Sequence, residues 1–425
     1  MLYLFARARS FYAVLAVLLL LPLLGAAQEP SSTRYTLPQL VELALKENRL
    51  LGAQDALVEE KRLSADQTRV WSGPTAGFVA GPIKQSGGSG SWAELSLAQP
   101  LPLTGLPGLR GKLLELETES LRVQRTGTEV GVTLAVAEGA YEYASSRRKA
   151  AFSADRRKRF ELIQSYLAGR VFPTPQRKAE SRIVSNRVRN LVSDSVQSEA
   201  AYKAALENLK VYAPVASGYP EVQVPWLSGT LALDPKEWEA KAVTENPELR
   251  VQRLGVEAAG LEKTRASREG LPDTSVVGSY QKGQEDIVGT QVGVGLSLSF
   301  PSWNRNRSGV RSAEQRKIAE EKRLAFAEQR LKADLARTLV EYEAARQTVL
   351  KYPESVLKEL DQELKEADEG FRKGQVDLLT FLELDGSAAE TYSRALDAQA
   401  QLAAKASELL IIIADRNALA KLSSL

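Results

Sequence analysis

The side chains available for chemistry are nearly all carboxylates. The 425-residue chain contains no His and no Cys. That removes thiol nucleophiles, disulfides, an N-terminal lipidated Cys, zinc sites built on N or S ligands and the commonest general base. What remains is 53 Asp and Glu, which could act as acid–base pairs. One group, Asp377, Glu383 and Asp385, follows Gly374 in 374-GQVDLLTFLELD-385. No glycine-rich phosphate loop and no metal-ligand cluster accompanies it, and Glu383 on its own reads as a solvated surface acid. An enzyme is disfavoured and no cofactor is implied. With 56 Lys and Arg against 53 acids, the charge is near balance, and a nucleic-acid footprint is not indicated.

The N-terminus reads as an address. Arg7 and Arg9 precede 11-FYAVLAVLLLLPLLGAAQEP-30, a short apolar run followed by Gly25, Ala26 and Ala27. This is the order of a secretory signal peptide, residues 1–27, cleaved after Ala27. A retained anchor is the competing reading. It is disfavoured because the run is short and holds Pro22, whereas a helical span needs ~20 apolar residues. No later segment reaches that length and apolarity, so any membrane insertion has to use strands.

The elements that would position these side chains come twice. Asn48 and Asn246 share an offset of 198, as do Pro74 and Pro272. Leu95-Ser96-Leu97 matches Leu296-Ser297-Leu298, Gly108-Leu109-Arg110 matches Gly309-Val310-Arg311, and Tyr141 matches Tyr342, all at 201. Gly169 matches Gly374 at 205, implying about four extra residues near Pro353. Two tandem repeats follow, residues 28–220 and 221–425, each reading helix, strand, strand, long helix, glycine break, long helix. In the second, Leu324, Leu331, Leu335, Leu339, Tyr342 and Val349 form a coiled-coil-like stripe. The 64 residues from Gly309 to Arg372 would extend ~95 Å as one helix, unless Pro353 breaks it. Helices of that length do not belong to a compact globule, and a solvated coiled-coil stalk competes for them.

The strands argue against a plain stalk. In 288–300, Val288, Thr290, Val292, Val294, Leu296, Leu298 and Phe300 share one face, and the other is Gly, Gln and Ser. An apolar face against a small polar one suits lipid outside and water inside, and a spanning strand needs only ~9–11 residues. Weaker strands are expected at 92–101, 74–83 and 274–282. Trp71, Trp92, Tyr280 and Trp303 lie near strand ends, where interface aromatics are expected, although ordinary packing explains each one equally well. Two hairpins give four strands per chain, and four cannot close a barrel. Open edges are not tolerated in lipid, so copies must assemble. Two copies give eight strands and a tight interior. Three give twelve and a bore, which suits the Gly/Ser face better.

This doubled plan resembles the TolC-type outer-membrane efflux proteins. The matching residues are Asn246-Pro247-Glu248-Leu249, Leu271-Pro272, Leu296-Ser297-Leu298, the turn Asn304-Arg305-Asn306-Arg307-Ser308-Gly309 and the hairpin from Gly374 to Glu383. The likeness covers residues 36–420, and the short loops with the Asn-Arg-Asn-Arg-Ser-Gly turn look most like the heavy-metal resistance branch. Asn48-Arg49 departs from the usual Asn-Pro pair. The resemblance implies a mainly α homotrimer whose twelve-stranded β-barrel in the outer membrane continues into an α-helical periplasmic tunnel. It implies a passive duct that docks on a periplasmic adaptor protein and an inner-membrane pump. Adaptor contacts are implied at two tips, Gly169, Arg170 and Val171, and Lys373, Gly374 and Gln375. The first tip departs from the family in carrying Phe172-Pro173-Thr174-Pro175. Aligned from Gly374, a gate acid falls on Glu383, with Thr380 three residues earlier and Asp377 nearby.

A periplasmic coiled-coil adaptor is the main alternative; it would share the long helices but lack the long two-faced strand. A self-contained porin would need far more strands per chain. The lumen residues show no His, Cys or Met cluster that would select a soft metal, so the cargo is not written in the sequence.

Overall fold

The computed structural model describes residues 34–85, 88–168, 174–215, 218–231, 234–285, 289–300, 305–415 and 417–425. The signal segment, the first tip at Gly169, Arg170 and Val171, and Trp303 all lie outside the described residues.

Two asparagines decide how each half begins. Strand β1 (Arg34–Thr36) leads into α1 (Leu37–Glu47) and α2 (Arg49–Arg69), and β4 (Glu221–Gln223) is followed by α5 (Pro235–Glu245) and α6 (Pro247–Arg268). The sequence suggests one helix over 37–54 and another over 235–252, yet each breaks at its Asn. Asn48 Oδ1 accepts from Leu50 N (2.9 Å) and Asn246 Oδ1 from Leu249 N (3.1 Å), so both cap the following helix. Their amides donate to Tyr212 O (3.3 Å) and Ile412 O (2.8 Å), the last residues of two long helices. One side chain thus satisfies orphan groups at two helix ends.

Each half then runs through a hairpin into long helices. Strands β2 (Thr75–Gln85) and β3 (Gly88–Leu101) lead to α3 (Leu106–Ala168) and α4 (Pro175–Tyr212). Strands β5 (Asp273–Glu285) and β6 (Gly289–Ser299) lead to α7 (Arg307–Val349), α8 (Glu354–Arg372) and α9 (Leu378–Ile412), with α10 (Ala418–Ser423) following. The 63 residues of α3 span ~95 Å. Its counterpart breaks between α7 and α8, because Pro353 cannot donate to a preceding turn. Helix α7 begins at Arg307, two residues ahead of the expected Gly309, because Arg305 (φ 53°) and Asn306 (φ 55°) complete the turn.

The core lies where α1, the middle of α3 and the C-terminal parts of α4, α7 and α9 meet. Tyr141 and Tyr342 are fully buried there; the Tyr141 hydroxyl donates to Pro225 O (3.1 Å), while that of Tyr342 accepts from Leu231 N (3.0 Å). In the expected stripe Leu335, Tyr342 and Val349 are buried, with Leu331 and Leu339 packed partly against them. The chain exposes 26945 Å², against roughly 16,000 Å² for a compact monomer of its size. Much of its surface therefore lacks a partner within the chain.

Candidate functional site: the second helical hairpin and the two-faced sheet

The four long strands form one antiparallel sheet in the order β2-β3-β5-β6. Its register brings Phe78, Leu95, Tyr280 and Val292 side by side, and Ala76, Leu97, Gly278 and Val294 in the next row. Because side chains alternate across a strand, these rows share one face with Val276, Leu296 and Leu298. That face is bare: Val292 is 73% exposed, Val294 82% and Leu296 71%. The opposite face carries Gly77, Ser96, Ser279, Gln281, Gln291, Gly293 and Ser297, with Val79 and Val277 among them. The 11 residues of β6, tilted by about 45°, rise ~26 Å, close to the ~25 Å apolar band of an outer-membrane barrel. Strands β2 and β6 leave open edges, and among the described residues nothing pairs with them.

The expected interface aromatics divide. Tyr280 lies on the apolar face but within β5, five residues before its end, and Trp71 is exposed in the segment leading to β2. Trp92 pairs with Gly81 and Gly283 and so lies on the small polar face, away from Phe78 and Tyr280. Alternation within β3 already sets Trp92 opposite Leu95 and Leu97; the register adds that Phe78 and Tyr280 share the face of those leucines.

At the far end of the long helices, α8 and α9 are joined by residues 373–377. Gly374 has φ +74° with open space where a Cβ would be. Gln375 N donates to Gly370 O (2.8 Å) and Gly374 N to Phe371 O (3.0 Å), a Schellman closure that requires the left-handed glycine. Gly370 is buried, and a Cβ there would sit 2.8 Å from Val376, so the turn is tight on both sides. Lys373, Gly374 and Gln375 are exposed at its apex.

Asp377 caps α9. Its carboxylate accepts from Thr380 N (3.0 Å) and from the Thr380 hydroxyl (2.7 Å). The hydroxyl contact, with the amide behind it, holds the Asp377 carboxyl below its ordinary range. These two expected gate residues are therefore partners in a helix cap. Glu383 is exposed one turn further along and shares the solvent-facing stripe with Thr380, Ser387 and Glu390. Beneath that stripe Phe381 is buried, with ring centroids of Phe160 and Phe371 each 5.5 Å away. Phe160, Ile163, Leu167, Val184, Val188, Leu191 and Leu378 complete a second core that joins the α3–α4 pair to the α8–α9 pair.

A charge cluster sits just above this core. Asp385 is 1% exposed and Arg156 8%. The Asp385 Oδ1 accepts from Arg156 Nε (3.0 Å), and Oδ2 accepts from Arg156 Nη2 (2.5 Å) and Arg187 Nη2 (3.4 Å). One carboxylate thus ties α9 to α3 and α4, with the bidentate geometry that favours Arg over Lys. In the sequence Asp385 stands out only as a neighbour of Glu383. The signal was present: Leu378, Phe381, Asp385 and Ala388 fall at one helical face, and an acid inside an apolar stripe requires a buried partner.

Residues 238–414 match the family model described as outer membrane efflux protein. A search of curated protein sequences finds no significant match. Among solved structures, a membrane protein from Pseudomonas aeruginosa aligns with TM-score 0.70 at 17% identity, covering 89% of this chain and 90% of that one. The CusC channel, studied for conformational changes accompanying folding and transmembrane channel formation, aligns with TM-score 0.70 at 14% identity over 89% and 91%. The Campylobacter jejuni CmeC outer membrane channel does so with TM-score 0.70 at 12% identity over 89% and 85%. The fold is that of these outer-membrane channels.

Proposed function

We propose, from the resemblance of residues 238–414 to the outer membrane efflux proteins, that this chain is the outer-membrane duct of a tripartite efflux or secretion system. It conducts passively what an inner-membrane pump and a periplasmic adaptor deliver, and it makes or breaks no bond. The observation that carries the reading is the sheet: an uncovered apolar face, a small polar face behind it and two open edges, running directly into ~95 Å helices. An apolar face this exposed needs lipid, and edges in lipid need copies of the chain. Three copies would give twelve strands around a water-filled bore, and the two tandem repeats would supply equivalent walls of the helical tunnel.

In that assembly Lys373, Gly374 and Gln375, with Gly169, Arg170 and Val171 of the first tip, meet the adaptor. Three copies of Glu383 line the tunnel entrance, where like charges attract cations. Asp377 and Thr380 brace the start of that helix. A heavy-metal cargo would follow from the resemblance of the Asn-Arg-Asn-Arg-Ser-Gly turn to the heavy-metal resistance branch only through the nature of the pump beside it. Two measurements test the reading: fractionation with heat-modified gel mobility, and conductance in planar bilayers. The duct is expected in the outer-membrane fraction as a heat-modifiable oligomer that forms discrete channels. A periplasmic adaptor would stay soluble, show no such band and form none.

A further inference from the structure

Basic side chains along the helices are mostly matched by acids, as in Arg62–Glu59 (2.7 Å), Arg346–Glu343 (2.9 Å) and Lys263–Glu314 (2.8 Å). Where the helices leave the sheet the pattern changes. Residues 102–114 and 305–313 contain Arg110, Lys112, Arg305, Arg307 and Arg311 and no acid. All five are exposed, and none forms an ion pair with another described residue. They occupy the strand–helix junctions and the first two turns of α3 and α7, immediately below the bare apolar face. Cations at the start of a helix oppose its dipole, so helix stability does not account for them. The turn that presents Arg305 and Arg307 is fixed from α6: Asn306 Nδ2 donates to Ala266 O (2.9 Å), and a Cβ at Gly270 would fall 2.5 Å from Arg305 O.

The same level carries exposed apolar side chains at every junction: Val70, Trp71, Leu103, Leu271 and Phe300. Free bases interleaved with exposed aromatic and aliphatic groups are the composition of a membrane interface, where basic side chains snorkel to phosphates. A water-filled bore that passed polar solutes would not be lined by those apolar groups. We propose that Arg110, Lys112, Arg305, Arg307 and Arg311 form a belt that binds the phosphates of anionic phospholipids in the periplasm-facing leaflet. This rests on the reading of the sheet as membrane-inserted.

Each base near an anionic surface raises lipid affinity roughly fivefold. The test is to reconstitute the full chain, in its native oligomer, into nanodiscs of equal phosphatidylglycerol and phosphatidylcholine, then extract it and quantify the retained lipid. The wild type is expected to retain phosphatidylglycerol preferentially. Arg305→Gln/Arg307→Gln/Arg311→Gln should lower that preference at least tenfold, Arg110→Gln/Lys112→Gln should lower it less, and high salt should do the same. Arg372→Gln/Lys373→Gln at the far hairpin should leave it unchanged. An unchanged preference in the triple variant overturns the belt. So does displacement of the lipid by millimolar inorganic phosphate, which would indicate a free-anion site. A changed anion permeability with lipid retention intact would turn the bases toward the bore and overturn it too. If neither wild type nor variant inserts, the membrane reading itself fails, and the belt with it.

Discussion

Asp385→Ala should loosen the hairpin end far more than removal of any exposed acid. Asp385 and Arg156 are 1% and 8% exposed and joined by two hydrogen bonds, whereas the Arg187 side chain is about one third exposed. Removing the carboxylate leaves the Arg156 guanidinium buried without a counter-charge, which costs ~3–5 kcal/mol. Arg187 can turn to water and adds little. If the cost falls on local opening, the open population rises on the order of 10²–10⁴-fold, and fast-reclosing proteolysis reads that population directly. The assay is limited trypsin digestion of the purified assembly, following cleavage after Arg372 and Lys373. The control is Arg156→Met/Asp385→Leu, which replaces the pair by apolar groups of similar size; it should fall within ~1.5 kcal/mol of wild type. If Asp385→Ala is cleaved at the wild-type rate, or the double variant is as sensitive as the single one, the clamp is not holding the hairpin pairs together.

Three other outcomes are expected. Glu383→Ala and Glu383→Lys should change single-channel conductance and cation preference in planar bilayers; two variants that conduct like wild type would remove Glu383 from the entrance. Val294→Lys puts a charge on the bare apolar face and should cost ~2–4 kcal/mol of assembly stability, whereas Ser297→Lys on the polar face should assemble normally and alter conductance; gel-resolved oligomer yield separates them. Burial alone would raise the Asp415 carboxyl, but Lys421, Asn417 N and Lys241 donate to it and bring it from 3.8 down to about 2. Its stabilisation, about 2 kcal/mol, is therefore complete above pH ~4 and fades as pH falls from there toward 2. Asp415→Asn should lower the unfolding midpoint at neutral pH and flatten that acid limb.

The legible parts of the fold were those fixed by periodicity and punctuation. The two-faced strand at β6, the glycine turn at Gly374 and the break at Pro353 each follow from residues acting locally. Asn48 and Asn246 were legible as markers but not as helix breaks, because their second hydrogen bonds go to Tyr212 and Ile412, over 160 residues away. Alternation within β3 already sets Trp92 opposite Leu95 and Leu97, but the register that aligns Phe78, Leu95, Tyr280 and Val292 into one row depends on pairing among four strands, which no single strand encodes. The site divided similarly. Asp377 and Thr380 are adjacent on one helical turn, yet their cap geometry gives them a bracing role that charge alone did not suggest. The clamp at Asp385 depends on Arg156 and Arg187 from two other helices, and only an acid in an apolar stripe hinted at it.

Separate copies of this chain are expected to join through the open edges of β2 and β6. The absence of Cys makes that directly measurable, since any disulfide must come from introduced residues. A cysteine in β2 at Gly77, combined in turn with cysteines from Gln291 to Ser297 in β6, should give covalent trimers in the outer-membrane fraction at one register and little at its neighbours. Crosslinks confined within single chains, or none at any register, would contradict it.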